Sequence, residues 1–295
     1  MPLPALSNDE KREENVLHSP YNFSDARKLE QLVYELKGTI CRYLNCEAEK
    51  VFIIVYQSHT MNNFIISGVG PGMGCSIARE FSSHGISIGL ISRTDFGVRL
   101  SRELNCVHRK ADLKDFESTQ KVIDELAEEL GGISGVVHCA GGFFSTMGIM
   151  ETDPEQFMEA LENNSVTYFN VAKSSVKHIS GKGGSITAIS AARNVYYGSN
   201  PGYSAGKGSI VYMTRTLAKD LARFNIRVNA VAPGFIRKDD CGTPPGDAKL
   251  LGSERYPSSL IGKIVYEIAT NSIITGQNIE ADGGVSSQIP SSKTM

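Results

Sequence analysis

The stretch Phe64-Ile65-Ile66-Ser67-Gly68-Val69-Gly70-Pro71-Gly72-Met73-Gly74 limits the fold of this chain more than any other segment. A short apolar run ends in a turn with glycines at 68, 72 and 74. Ile77-Ala78-Arg79-Glu80-Phe81 then reads as the opening of a helix. Strand, glycine turn and helix in that order form the first unit of an α/β domain. Glycines so placed let the backbone approach a pyrophosphate, which the positive end of the helix favours. Gly68, Gly72, Met73 and Gly74 are therefore candidate contacts for a dinucleotide. An ordinary glycine turn between strand and helix is the competing reading of this segment alone.

The next apolar run, Ile86-Ser87-Ile88-Gly89-Leu90-Ile91, ends in Ser92-Arg93. An acid here would bond the adenosine ribose 2′-hydroxyl, but positions 91, 92 and 93 carry none. A guanidinium is a fixed charge with a planar fork of donors, matched to phosphate. Ser92 and Arg93 are thus expected to select NADP(H) over NAD(H). A third strand near Cys106-Val107-His108 runs into Ala111-Asp112-Leu113. Asp112 there suits the adenine amino group, or equally the cap of a helix beginning near Asp115. Asp112 and Leu113 join the candidate contacts. Val122, Ile123, Leu126 and Leu130 recur at helical spacing, and Gly131-Gly132 ends that helix. A fourth strand, Gly135-Val136-Val137-His138-Cys139, leads into Ala140-Gly141-Gly142. Small residues let the backbone of Cys139, Ala140 and Gly141 lie against a cofactor.

Reactive groups come further on. Tyr203 and Lys207 are four residues apart in Tyr203-Ser204-Ala205-Gly206-Lys207, so on a helix they share a face. A free tyrosine, with a pKa of about 10, is a poor acid–base group at neutral pH. A nearby ammonium stabilises the phenolate and lowers that pKa. The phenol then gives a proton to a carbonyl oxygen, or takes one from an alcohol, as hydride moves. Ser190 ends the apolar run Ser185-Ile186-Thr187-Ala188-Ile189, thirteen residues before the tyrosine. Its hydroxyl is expected to hold the same substrate oxygen.

Taken in chain order, these pieces resemble the short-chain dehydrogenase/reductase family from about Met61 to Gly284. Besides the glycine turn, the matching segments are His138-Cys139-Ala140-Gly141, Asn164, Ser190, Tyr203 and Lys207. Asn229-Ala230-Val231-Ala232-Pro233-Gly234 and Thr275-Gly276-Gln277 with Asp282-Gly283-Gly284 complete the set. The resemblance implies that Tyr203 is the catalytic acid/base. It also implies that Lys207 bonds the nicotinamide ribose, Asn164 holds a relay water, and Pro233-Gly234 lies beside the nicotinamide. Two segments depart from the family pattern. Members often carry Asn-Asn-Ala-Gly where this chain has His138-Cys139-Ala140-Gly141. Many place a threonine after the Pro-Gly pair, where Phe235-Ile236-Arg237-Lys238 stands here.

With 295 residues the chain is long enough for one large α/β domain and an appendage. Its net charge of −2 gives no electrostatic case for nucleic acid or membrane surfaces. No apolar run approaches the roughly 20 residues of a membrane helix, and Met1-Pro2-Leu3-Pro4 with the charged stretch after it is no signal peptide. Six scattered cysteines, none at metal-ligand spacing, suggest reduced thiols, a cytoplasmic setting and no metal site. Residues 1–60 are expected to be an extension, first loose and then a helix–strand unit from Leu29 to Tyr56. That unit resembles the latter half of a tautomerase-type subunit, in which Pro2 would be the base. No opening strand is visible, so packing or oligomerisation is its expected role. Residues 61–295 are expected to form the catalytic domain. The expected fold is a doubly wound Rossmann sheet, mainly parallel, with helices on both faces; family resemblance gives the strand order 3-2-1-4-5-6-7. The expected activity is NADPH-dependent interconversion of a carbonyl and a secondary alcohol, on a ketone or 3-oxoacyl compound. Oxidation of a small hydroxylated metabolite, or a nucleotide-binding regulator without turnover, are the alternatives. By resemblance the enzyme is a homo-oligomer, a dimer or tetramer. Residues 237–257 read as a lid over the substrate.

Overall fold

The computed structural model of the protein describes residues 63–142, 145–179, 183–237, 250–251, 255–271 and 273–288. The expectations for residues 1–60 and for most of the segment 237–257 fall outside these residues. Strand β1 (Asn63–Ser67) leads through the glycine turn into helix α1 (Met73–Ser83). β2 (Ser87–Ser92) leads into α2 (Asp95–Glu103), and β3 (Val107–Lys110) into α3 (Phe116–Glu129). β4 (Gly135–His138) is followed by α4 (Pro154–Leu161), a π-helical turn (Glu162–Val166) and α5 (Thr167–Ile179). β5 (Gly184–Ile189) precedes the short α6 (Arg193–Tyr197) and the long α7 (Pro201–Leu221). β6 (Ile226–Pro233), α8 (Ser258–Thr270) and β7 (Asn278–Ala281) complete the sheet unit.

The seven strands lie in the order 3-2-1-4-5-6-7, and every pairing between them is parallel. Alternation along each strand explains why the apolar runs are nearly continuous: both faces are covered. Ile65, Val136, Ile186 and Val228 point into one core with side chains of α3, α5 and α7. Phe64, Ile66, Val137, Ile189 and Val231 point into the other, with those of α1 and α8. Each such side chain, fully buried, contributes about 1.5–3 kcal/mol. A charged residue at Ile65 or Ile66 would break a core, since both are wholly buried. Helix ends follow local chemistry. Asp153 and Gln156 form a reciprocal capping box at the start of α4. Gly85, with φ 72°, lets the chain turn from the end of α1 into β2.

The strand order reverses between β1 and β4. Chains leaving these neighbours go to opposite faces and open a crevice beyond the strand ends, where ligands bind in such sheets. His138 fixes this point. Its ring nitrogens contact Ser67 Oγ of β1 at 3.0 Å and Thr167 Oγ1 of α5 at 3.3 Å. Burial, and then the charge of Lys207, push this histidine down to about 3, so it is a neutral strut. Its side chain thus has a structural role where the family pattern carries asparagine.

The described ends of the segment 237–257 are pinned to each other. Arg237 N–H donates to Tyr256 O at 3.0 Å, and Tyr256 N–H to Phe235 O at 2.9 Å. Among the described residues, Cys106 and Cys139 are free thiols. Among the described residues, no helix is long and apolar enough to cross a membrane.

Candidate active site

Gly68, Ser92, Arg93, Asp112, Leu113, Cys139, Ala140 and Gly141 line one cleft beyond the ends of β1 to β4. Bare backbone makes it. Gly68 has φ 77°, and a Cβ there would strike the backbone of Ala140. A Cβ on Gly141 would come within 2.5 Å of Asn164 Oδ1 and 2.9 Å of Lys207 Nζ. Gly72 has φ 90° and caps α1, so Met73 opens the helix with its unpaired N–H groups. Gly74 has a packing role instead: a Cβ there would meet Gly68 O at 2.9 Å and Val69 Cα at 3.0 Å. A glycine cradle facing a helix N-terminus fits the pyrophosphate of a dinucleotide.

The end of the cleft at β2 and β3 carries side chains. Arg93 stands exposed at the cleft and forms no ion pair with any described residue. Ser92 is buried, with its hydroxyl 2.9 Å from Thr94 O and 2.8 Å from His108 Nε2. Thr94, by contrast, caps α2 without a side-chain hydrogen bond, and it also lines the cleft. Asp112 does not cap α3. Asp115 does, accepting from Ser118 N–H at 2.6 Å, while Asp112 accepts from Lys114 N–H at 3.1 Å.

Tyr203 and Lys207 are both nearly buried, one turn apart at the start of α7. Pro201 begins this helix, and Asn200 caps it by accepting from Tyr203 N–H at 2.8 Å. Lys207 Nζ donates to Ile189 O at 2.8 Å, which anchors the ammonium at the end of β5. Burial lowers Lys207 to about 8, against a smaller opposing pull from Cys139. Burial, and then neighbouring Tyr196, push Tyr203 above the ordinary tyrosine range. Both causes raise Tyr203, and the lowering by Lys207 expected from the sequence is not among them. Cys139 is likewise raised to about 11 by burial, leaving a neutral thiol beside the cleft.

Asn164 is wholly buried within the π-helical turn. Such a turn inserts one residue into a helix and re-aims the side chains around it. Asn164 Nδ2 donates to Ala160 O at 2.8 Å, while Oδ1 has no hydrogen bond among the described residues. That oxygen shares the small space above Gly141 with Lys207 Nζ. Asn163 and Thr167 line the same cleft, and sequence reasoning assigned neither. Their spacing of four signals a shared helix face, but the π-turn alters the register that spacing implies.

Ser190 lies elsewhere in its chemistry. Its hydroxyl is 2.6 Å from Asn278 Oδ1 and 3.3 Å from Val231 O, both acceptors. A hydroxyl has one proton, so Ser190 has none for a substrate carbonyl while this bond stands. The residue packed with Val195 against the Tyr203 ring is Ala191. Pro233 and Gly234 close the same edge: Ala192 N–H donates to Pro233 O at 2.9 Å, and a Cβ on Gly234 would reach Asp282 Cβ at 2.8 Å.

Comparison with known proteins extends these observations. Residues 68–286 match the family model described as enoyl-(acyl carrier protein) reductase. A 3-oxoacyl-(acyl-carrier-protein) reductase of Thermotoga maritima is 31% identical over 241 residues, covering 75% of this chain and 96% of that protein. A 3alpha-hydroxysteroid dehydrogenase of Mediterraneibacter gnavus is 28% identical over 243 residues, covering 76% and 96%. Among solved structures, a short-chain type dehydrogenase/reductase from Mycobacterium ulcerans shares the fold, with a TM-score of 0.68 at 23% identity over 76% of this chain and 90% of that one. Family model, sequence relatives and sheet topology agree over the same three quarters of its length, and the chain belongs to the short-chain dehydrogenase/reductase family of oxidoreductases.

Proposed function

We propose that this protein is an NADP(H)-dependent oxidoreductase that reduces a ketone or 3-oxoacyl-type carbonyl to a secondary alcohol. The observation that carries the reading is the buried Tyr203–Lys207 pair, one helical turn apart, beside a glycine-lined cleft. A nicotinamide dinucleotide bound there supplies hydride to the carbonyl carbon. Gly68, Met73 and Gly141 would bring backbone to its phosphates and ribose, and Arg93 with Thr94 would meet the 2′-phosphate. Tyr203, neutral at pH 7, gives its proton to the carbonyl oxygen as the C=O electron pair moves there. Phenolate charge then develops in a dry site where tyrosine resists ionisation. The Lys207 ammonium offsets it. Of its three protons one is spent on Ile189 O, leaving two for the ribose and for a water at Asn164 Oδ1. That water returns a proton to the site after each turnover.

The Thermotoga relative, a 3-oxoacyl-(acyl-carrier-protein) reductase, supports a 3-oxoacyl thioester as substrate. The Mediterraneibacter relative favours a second reading, the same residues run backwards on a hydroxylated ring compound. In both readings residues 61–295 are the catalytic domain and residues 1–60 an appendage. Exposed Phe169 on α5 and Tyr212 on α7 support assembly as a homo-oligomer. The test is a screen of acetoacetyl-coenzyme A, ethyl acetoacetate, 9,10-phenanthrenequinone and a 3-oxosteroid, each with NADPH and with NADH. Turnover of at least one carbonyl with NADPH preferred is the expected result. Turnover of none, or preference for NADH, contradicts the reading.

A further inference from the structure

We infer that Tyr196, not Ser190, supplies the second hydroxyl that holds the substrate's carbonyl oxygen; this rests on the reductase reading above. The oxygen that accepts the Tyr203 proton must sit against Tyr203, and a second donor there stabilises the charge that develops on it. The side chains around Tyr203 supply few donors. Ala191 and Val195, packed on its ring, have none. Ser190 has already given its proton to the Asn278 side chain. Tyr196 packs against the same cluster of Ala191, Val195 and Tyr203. Its Oη is buried, lies beside the Ala191 backbone N–H, and makes no well-formed hydrogen bond to any described residue. Of the buried side-chain atoms left unpaired among the described residues, it is the one packed against the cluster that holds Tyr203.

The Ala191 N–H can only donate to this oxygen, so the hydroxyl's own proton is without an acceptor, and native structures keep few such buried groups. A substrate oxygen between the two phenols would complete it, with Tyr203 giving a proton and Tyr196 a hydrogen bond. Burial pushes Tyr196 up to about 12, so it stays a neutral donor through the working pH range. Its backbone is held by the catalytic helix itself: Ser204 Oγ donates to Tyr196 O at 2.8 Å. Catalytic hydrogen bonds commonly close up only once substrate is present.

The experiment measures NADPH oxidation with 9,10-phenanthrenequinone and acetoacetyl-coenzyme A, alongside NADPH affinity by fluorescence. Tyr196→Phe keeps the ring and removes only the hydroxyl. It is expected to lower turnover by about 10²–10³, the usual effect of one lost oxyanion donor, with NADPH affinity unchanged. Ala191→Ser in that background places a hydroxyl against the Tyr203 ring and is expected to recover at least about tenfold of the loss. Turnover by Tyr196→Phe within about threefold of wild type overturns the inference. So does a parallel loss of NADPH affinity, which marks a packing defect. Tyr203→Phe separates the two levels: if it stays active, the reductase reading itself fails. If it is inactive while Tyr196→Phe is normal, only the role of Tyr196 fails.

Discussion

The two halves of the site are built from different materials. Along β1 to β4 the cleft is made by backbone, where glycines decide whether a ligand can come close. Gly68 lies against Ala140, and Gly141 against Asn164 and Lys207, with no room for a Cβ. Along β5, α6 and α7 the site is made by side chains, and what matters is which hydroxyl keeps its proton free. Backbone requirements leave a spacing in the sequence; commitments between side chains do not. A glycine motif therefore marks where the backbone leaves a cleft, while a serine at family spacing still has to be checked for a prior partner.

The contrast sharpens most at Lys207, which belongs to both halves. Lys207→Ala should lower turnover by at least about 10², because it removes the charge that stabilises the Tyr203 phenolate. It should also weaken NADPH binding, since a hydrogen bond to a charged group is worth about 1.5–3 kcal/mol. A variant losing turnover alone would confine Lys207 to the catalytic half. The same residue sets a pH limit. Its pKa is lowered to about 8, so the ammonium is present below that pH and lost above it. For carbonyl reduction, kcat/KM, which reports the free enzyme, should fall as pH rises through about 8. Lys207→Ala should abolish that limb of the profile. A flat profile from pH 7 to about 9.5 in the wild type would remove Lys207 from the mechanism.

A smaller effect is expected at the rim. Arg93→Ala should weaken NADPH by about tenfold and leave NADH unchanged, because an exposed guanidinium–phosphate contact is screened by water and salt. Competitive titration of the two cofactors reads this directly. An equal loss for both would mean that Arg93 supports the turn and not the 2′-phosphate.

Much of the fold was legible from the sequence because parallel strands covered on both faces read as apolar runs between helices. Phe64–Ile66, Ile86–Ile91 and Ser185–Ile189 each mark an observed strand to within one or two residues. The cleft beyond β1 to β4 was legible through Gly68, Gly141 and Arg93, which line it. Three things were hidden. The π-turn at Glu162–Val166 brings Asn163 into the cleft and buries Asn164, and no local propensity announces such an insertion. The capture of Ser190 by Asn278 spans 88 residues and depends on β7 lying beside β6. Desolvation of Tyr203 and Lys207 follows from three-dimensional packing, so the direction of the tyrosine shift could not be read from a spacing of four.

The central claim is that Tyr203 gives the proton while the cofactor is held by other groups. Tyr203→Phe tests it most directly, with NADPH affinity and steady-state carbonyl reduction measured on the same preparation. Phenylalanine fills the same space but has no proton to give. The account predicts turnover lower by about 10²–10⁴, the usual contribution of a general acid, with NADPH affinity within about twofold of wild type. Turnover retained above about a tenth, or NADPH affinity lost together with turnover, would contradict it.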